Sequence, residues 1–357
     1  MSGARVMVAM SGGVDSSVAA LLLRDRGDRV VGATMCLGLP RGESRRPVCC
    51  GEEGVADARR VCDRLDIPHH VFDCSGELER LVVEPFLAEY RRGRTPNPCV
   101  VCNRRLKFGT LLERALALGF DALATGHYAG IEMRSGKPVL LRGGDRGKDQ
   151  GYFLNAIPRE ALPRIVFPLA GLTKEEVRRI ARRADLPVAG KAESQDICFL
   201  PGGRRRELLE ERGEALLPGP VIDSSGRHLG RHRGIPLYTV GQRGGLGIAS
   251  EEALYVIRID APANTIVVGP HREGLIASLV AGSVNRLADS LEGALTARVR
   301  HRGREVACRV TDRGETLAVH FLEPIFGVAP GQSVVLYRDD LILGGGVIEE
   351  TAPEEFT

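Results

Sequence analysis

The segment Arg5-Val6-Met7-Val8-Ala9-Met10, followed directly by Ser11-Gly12-Gly13-Val14-Asp15-Ser16-Ser17, constrains this chain more than any other. An apolar run of strand length ends in a glycine pair. The helical run Val14 to Arg26 then begins at once and closes at Gly27. Two glycines let a backbone approach an anion closely. The start of the helix adds unpaired N–H groups and the positive end of its dipole, and the serine hydroxyls offer further donors. The segment is therefore read as a phosphate-binding loop. It lacks the Gly-Lys-Ser/Thr ending of a Walker loop and is not the dinucleotide fingerprint.

The same alternation continues downstream. Val30 to Met35, Val71-Phe72-Asp73 and Leu123-Ala124-Thr125 read as strands; Glu53 to Leu65 and Leu106 to Leu118 read as helices. That order predicts an α/β fold with a doubly wound parallel sheet, whose ligands sit at the carboxyl ends of the strands. After about Leu200 the pattern changes to short strands broken by Pro218-Gly219-Pro220, Asp223 to Gly226 and Gly244-Gly245. From about Leu275 the chain reads as β. Ala294 to Arg300, Glu305 to Thr311, Thr316 to Phe321, Ser333 to Tyr337 and Leu341 to Ile348 predict a small terminal barrel. At ~150 residues per domain, 357 residues make two or three domains.

No apolar stretch approaches the ~20 residues of a membrane span. The N-terminus runs straight into a strand, so a cytoplasmic protein without a signal peptide or membrane partner is expected. A net charge of +3 does not by itself mark a nucleic-acid partner. The 49 basic residues, however, are 5 Lys and 44 Arg, and the Arg cluster at 91–94, 178–183, 204–206, 231–233 and 298–304. Guanidinium groups bind phosphate bidentately, although a solvated helix face explains any single cluster equally well.

Nine cysteines without a secretion signal predict reduced thiols rather than a disulfide framework. Thr95-Pro96-Asn97-Pro98-Cys99-Val100-Val101-Cys102-Asn103 reads as a proline-fixed loop presenting a CxxC pair beside Arg104, Arg105 and Lys107. Neighbouring cations raise the thiolate fraction. Cys198, between Ile197 and Phe199, reads on its own as a core residue, as do Cys36, Cys62, Cys74 and Cys308. Adjacent Cys49 and Cys50 are poorly placed to bridge each other and are read as packing residues. His69-His70 reads as a half-exposed strand entry rather than a metal site.

Several segments match one family in order: the phosphate loop, Gly93 to Pro98, Cys102-Asn103 through Phe108, Ala124-Thr125-Gly126-His127-Tyr128, Gly147 to Gln150, Ser194 to Phe199, Tyr238 to Arg243 and Gly331-Gln332. The loop resembles that of the PP-loop ATP pyrophosphatases, and the whole chain resembles the tRNA-specific 2-thiouridylases in a Cys-x-x-Cys variant. The resemblance implies a nucleotide-binding and catalytic domain over residues 1–203, a small central domain over 204–272 and a tRNA-binding β-barrel over 273–357. It implies ATP held by Ala9, Met10, Ser11, Gly12, Gly13, Val14, Asp15, Ser16, Met35 and Gly126, with Mg²⁺ offsetting the triphosphate charge. It implies tRNA contacts from Asn97, Pro98, Cys99, His127, Lys148, Asp149, Gln150, Arg300, His301 and Gln332.

The implied reaction is 2-thiolation of the wobble uridine. The base C2 oxygen is adenylated, and sulfur follows from a persulfide on Cys198, supplied by a cysteine desulfurase or a sulfur-relay protein, with Cys102 as nucleophile. Three positions depart from the family pattern: Cys99 stands where Asp is common, Gly151 where Ser is usual and His301 where Tyr is usual. The first departure keeps a second mechanism open, in which Cys99, Cys102 and Cys198 ligate an iron–sulfur cluster that binds sulfide. Alternative functions are a PP-loop synthetase or amidase acting on a small molecule, and an iron–sulfur-dependent thiolase of another tRNA base.

Overall fold

The computed structural model describes residues 3–38, 52–193, 197–200, 202 and 204–353. Cys49, Cys50 and the Ser194 to Asp196 part of the third motif lie outside the described residues. The chain divides into two compact units, one comprising residues 1–82, 99–199 and 340–342 and the other residues 83–98, 200–339 and 343–357. Among the described residues no helix is long and apolar enough to cross a membrane.

The first unit is built on a five-stranded sheet. Its strands are β1 (Arg5–Ala9), β2 (Arg29–Cys36), β3 (His69–Asp73), β4 (Ala122–Ala124) and, after the antiparallel hairpin β5 (Ala129–Arg134) and β6 (Lys137–Arg142), β7 (Ile165–Val166). Every pairing in the order β3-β2-β1-β4-β7 is parallel. Val6, Met7 and Val8 are at most 1 % exposed, as a strand covered on both faces must be. Helices α1 (Val14–Asp25) and α2 (Glu52–Leu65) and the helix Lys174–Arg183 bury Val18, Leu21, Val61, Leu65, Val177 and Ala181 in one core with Val6 and Val8. The chain winds outward from β1 to β3 and then returns to place β4 on the other side of β1. The loops after β1 and β4 therefore leave the sheet at the point where the strand order reverses, where such sheets take their ligands.

The second unit holds a four-stranded sheet in the order β10-β11-β8-β9, formed by β8 (Gly219–Asp223), β9 (His228–His232), β10 (Tyr255–Asp260) and β11 (Thr265–Gly269). It also holds six antiparallel strands: β12 (Leu275–Arg286), β13 (Leu295–Arg298), β14 (Val306–Asp312), β15 (Leu317–Phe326), β16 (Ser333–Arg338) and β17 (Leu341–Pro353). These run in the order β12-β15-β14-β13-β16-β17, and β12 pairs back onto β17, which closes the predicted barrel.

Two sequence expectations need correction. The proline-fixed loop is a helix from Pro98 onward, because proline at the first helical position costs no hydrogen bond and already has a helical φ. Cys36 is disulfide-bonded rather than a reduced core thiol. Cys62, Cys74 and Cys308 are free and buried. Burial pushes the Cys62 thiol up to about 11 and Cys308 up to about 12, so both stay protonated. His69 belongs to β3, where its Nε2 lies 2.8 Å from Thr34 Oγ1.

Candidate active site

The β1–α1 loop is shaped by contacts that only small residues allow. Gly12 has φ +70°, and a Cβ there would come 2.3 Å from Gly54 O on α2. Gly13 is extended, and no side chain caps the N–H groups that open α1. The hydroxyls are not the free donors expected of them. Ser17 Oγ donates to Gly13 O at 2.8 Å, Ser16 Oγ donates to the same oxygen at 3.2 Å, and Ser11 N donates to Ser16 Oγ at 3.2 Å. They brace the loop, so the backbone N–H groups are left to meet an anion. Gly126, after β4, lies against the loop. A Cβ there would come 2.6 Å from Ser16 N.

A set of charges surrounds the loop, of which sequence reasoning singled out only Asp15 and Lys148. Asp15 accepts from Lys174 Nζ at 2.7 and 2.8 Å and from Tyr128 OH at 2.9 Å. Burial and the Asp15 carboxylate raise the Tyr128 phenol, so it remains a donor. Lys174 also lies 3.0 Å from Glu193 Oε1, and Lys148 Nζ donates to Glu193 Oε2 at 2.7 Å. These bonds, Lys148's first, hold Glu193 down at about 2. Lys191 Nζ donates to Gly12 O at 3.2 Å and to buried Asp57, which also pairs with Arg60. The signal available in the sequence was lysine's scarcity: of 5 Lys, only Lys137 is neither in this network nor beside the thiols.

The CxxC pair stands elsewhere in the same unit. Cys99 and Cys102 are half-buried thiols, while the Cys198 side chain is exposed. Burial pushes Cys99 and Cys102 up, and Lys107 is the cation that opposes it in both. His127 is buried, with Nδ1 2.7 Å from Thr125 Oγ1. Among the described residues no three His, Cys, Asp or Glu side chains gather to hold a metal ion.

The residues expected to touch tRNA divide by environment. Asp149 is buried, and its Oδ1 accepts from Gly143 N and Gly151 N, both at 3.0 Å. Gln150 Oε1 accepts from Tyr128 N at 3.0 Å. Both side chains shape the turn that holds Lys148. A Cβ on Gly151 would come 2.3 Å from Ile342 Cδ1, so Ile342 fills the space a serine would need. In the second unit Gln332 Nε2 donates to Thr95 O at 2.8 Å and to Pro96 O at 3.3 Å, fixing the strand of chain that carries Asn97 and Pro98. His301 is half-buried, and Arg300 is exposed near Gly327. The 91–94 cluster is largely committed to carboxylates: Arg91 pairs with Glu214, and Arg92 and Arg94 pair with Glu89.

A phosphate-binding loop at the switch point of a parallel sheet defines the first unit as a nucleotide-binding α/β protein of the HUP type. Residues 4–202 match the family model described as a tRNA methyl transferase HUP domain, residues 206–270 the tRNA methyl transferase PRC-barrel domain, and residues 277–348 the aminomethyltransferase beta-barrel domain. The tRNA-specific 2-thiouridylase MnmA 1 of Syntrophus aciditrophicus is 52 % identical over 97 % of this chain and 93 % of its own length. The 2-thiouridylases of Geobacter metallireducens and Pelotomaculum thermopropionicum are 48 % and 45 % identical, each over 98 % of this chain and 98–99 % of their own. The chain belongs to the tRNA-specific 2-thiouridylase family.

Proposed function

We propose that this protein is an ATP-dependent tRNA sulfurtransferase that thiolates C2 of the wobble uridine. The observation that carries the reading is the Ser11–Ser17 loop: its hydroxyls are bonded internally, its helix start is uncapped and Gly126 is seated against it, which suits it to the phosphates of ATP. In the proposed reaction the uracil C2 oxygen attacks the α-phosphorus and pyrophosphate leaves. The poor leaving oxygen thereby becomes part of AMP. The terminal sulfur of a Cys198 persulfide, supplied by a desulfurase or relay protein, then bonds to C2 as AMP departs. Cys102 thiolate attacks the Cys198 sulfur, which forms a Cys102–Cys198 disulfide and leaves the thiocarbonyl on the base. A reductant of the thiol class returns both cysteines to thiols.

Mg²⁺ would neutralise triphosphate charge. Asp15, a carboxylate at the loop that is already matched to a cation, is the residue suited to it. The exposure of Cys198 suits delivery of sulfur by another protein, and the expected setting is the cytoplasm. Asp15→Ala and Ser16→Ala are expected to cut tRNA-dependent pyrophosphate release by about 10²- to 10³-fold. Mass spectrometry of nucleosides should show 2-thiouridine from the wild type only. Near-normal pyrophosphate release by both variants would remove the ATP assignment.

A further inference from the structure

The phosphate loop turns on two adjacent glycines with one peptide plane between them. Gly12 has φ +70°, and Gly13 is extended at φ −104° and ψ 167°. A trans peptide carries its C=O and its N–H on opposite edges. This plane can therefore present either the Gly13 N–H or the Gly12 oxygen to an anion. Turning it over changes ψ of Gly12 and φ of Gly13 by about half a turn each. Gly13 would then have a positive φ with an extended ψ, a region open essentially to glycine alone. With glycine at both positions, nothing in the local chain opposes the turn.

Lys191 holds one of the two orientations. Its Nζ donates to Gly12 O at 3.2 Å, across 179 residues of chain. The other edge of the plane carries the Gly13 N–H, which stands next to the uncapped N–H groups that open α1. Lys191 is itself anchored. Its Nζ also donates to Asp57 of α2, a carboxylate buried to 4 % exposure and shared with Arg60. Its backbone N–H donates to Val188 O at 2.9 Å, and its carbonyl accepts from Arg178 at 3.4 Å. The next peptide plane is fixed from within the loop, where Gly13 O accepts from Ser16 Oγ, Ser17 Oγ and Ser17 N. Both glycine carbonyls are thus occupied by donors of the protein. A plane turned over would aim an oxygen at phosphate, and the two would repel.

We propose that Lys191 is the positioning residue of the phosphate loop: it holds the Gly12–Gly13 peptide so that N–H rather than C=O is turned to the nucleotide phosphates, a role that rests on the reading of the loop as the ATP site. Lys191 acts through the peptide and not by its charge. Asp57 already matches that charge, and two of the three ammonium N–H groups are spent on Gly12 O and Asp57.

The test is a double-mutant cycle on the full-length protein, read by isothermal titration calorimetry as the affinity for α,β-methylene-ATP with Mg²⁺. Gly13→Ala is the second arm, because alanine keeps the extended conformation and opposes the one turned over. A Cβ there meets only Ser11 Oγ, at 3.3 Å, and any cost of that contact is common to both arms and cancels. Lys191→Met is expected to weaken binding about tenfold in the parent and less than about threefold in the Gly13→Ala background. Lys191→Gln should show the same pattern, and Lys191→Arg should stay within about threefold of the parent. Asp57 keeps Arg60 in every variant, so no buried carboxylate is stranded. A lysine that acts by charge, or that merely packs, would cost the same factor in both backgrounds, and equal factors would overturn the proposal. A parent that does not bind the analogue removes the ATP reading and this proposal together, whereas a parent that binds, with equal factors, removes this proposal alone.

Discussion

Glu193 shows how much of this site rests on single residues that carry no motif. It collects Lys148 and Lys174, and through Lys174 it is tied to Asp15 in the phosphate loop. Its carboxyl is held at about 2 rather than 4.5. A depressed carboxylate contributes stability that is fully present above the unfolded value and is lost as pH falls through the folded one. The urea midpoints of wild type and Glu193→Gln should therefore differ most above about pH 5 and converge as pH falls toward about 2. A gap that does not change with pH would mean that Glu193 is not charged in the fold. Gly12 was legible because a glycine pair directly after a strand has few other uses, whereas Gly126 entered only through the family resemblance. Glu193, Tyr128 and Asp57 were not, because a lone charge or phenol has no spacing to betray it, and its partner is up to 134 residues away, as Lys191 is from Asp57.

At the scale of elements, the helix Lys174–Arg183 delivers Lys174 to the loop from its first turn. Its start is fixed by a capping box: Thr173 Oγ1 accepts from Glu176 N at 3.2 Å, and Glu176 Oε2 accepts from Thr173 N at 2.8 Å. Thr173→Ala should cost about 1 kcal/mol in a denaturant titration. It should also raise the KM for ATP more than it lowers kcat, because Lys174 is the residue displaced. An unchanged KM would separate the cap from the site. The alternation of strands and helices was readable from apolar runs and glycine stops. The i→i+5 winding of the helix from Cys102 to Leu111 was not, because its residues have ordinary helical periodicity and the widening follows from how the segment packs.

Across the whole molecule the arginine clusters sort into two kinds. Those at 91–94 are committed to carboxylates, whereas Arg231, Arg233 and Arg300 are exposed. Binding of tRNA should weaken linearly in log salt, with a slope of about 0.9 per phosphate contacted on duplex. Arg300→Ala should weaken every substrate tRNA by a similar factor and flatten that slope by about one, as a filter-binding salt series would show. An affinity indifferent to salt would exclude an arginine-led interface. By itself the sequence determined the parallel sheet, the phosphate loop, the terminal barrel and the family. Each of these is written in local periodicity or in contiguous residues that chemistry needs side by side. Only the tertiary structure decided which polar groups are spent internally, as with Asp149, Gln150 and Gln332, and which lysine faces which acid. It also decided how the hydroxyls of the loop are bonded to its own backbone. Those outcomes depend on side chains meeting across long loops, and the physical reason is plain: a hydrogen bond or ion pair is set by distance in space, which chain order does not encode.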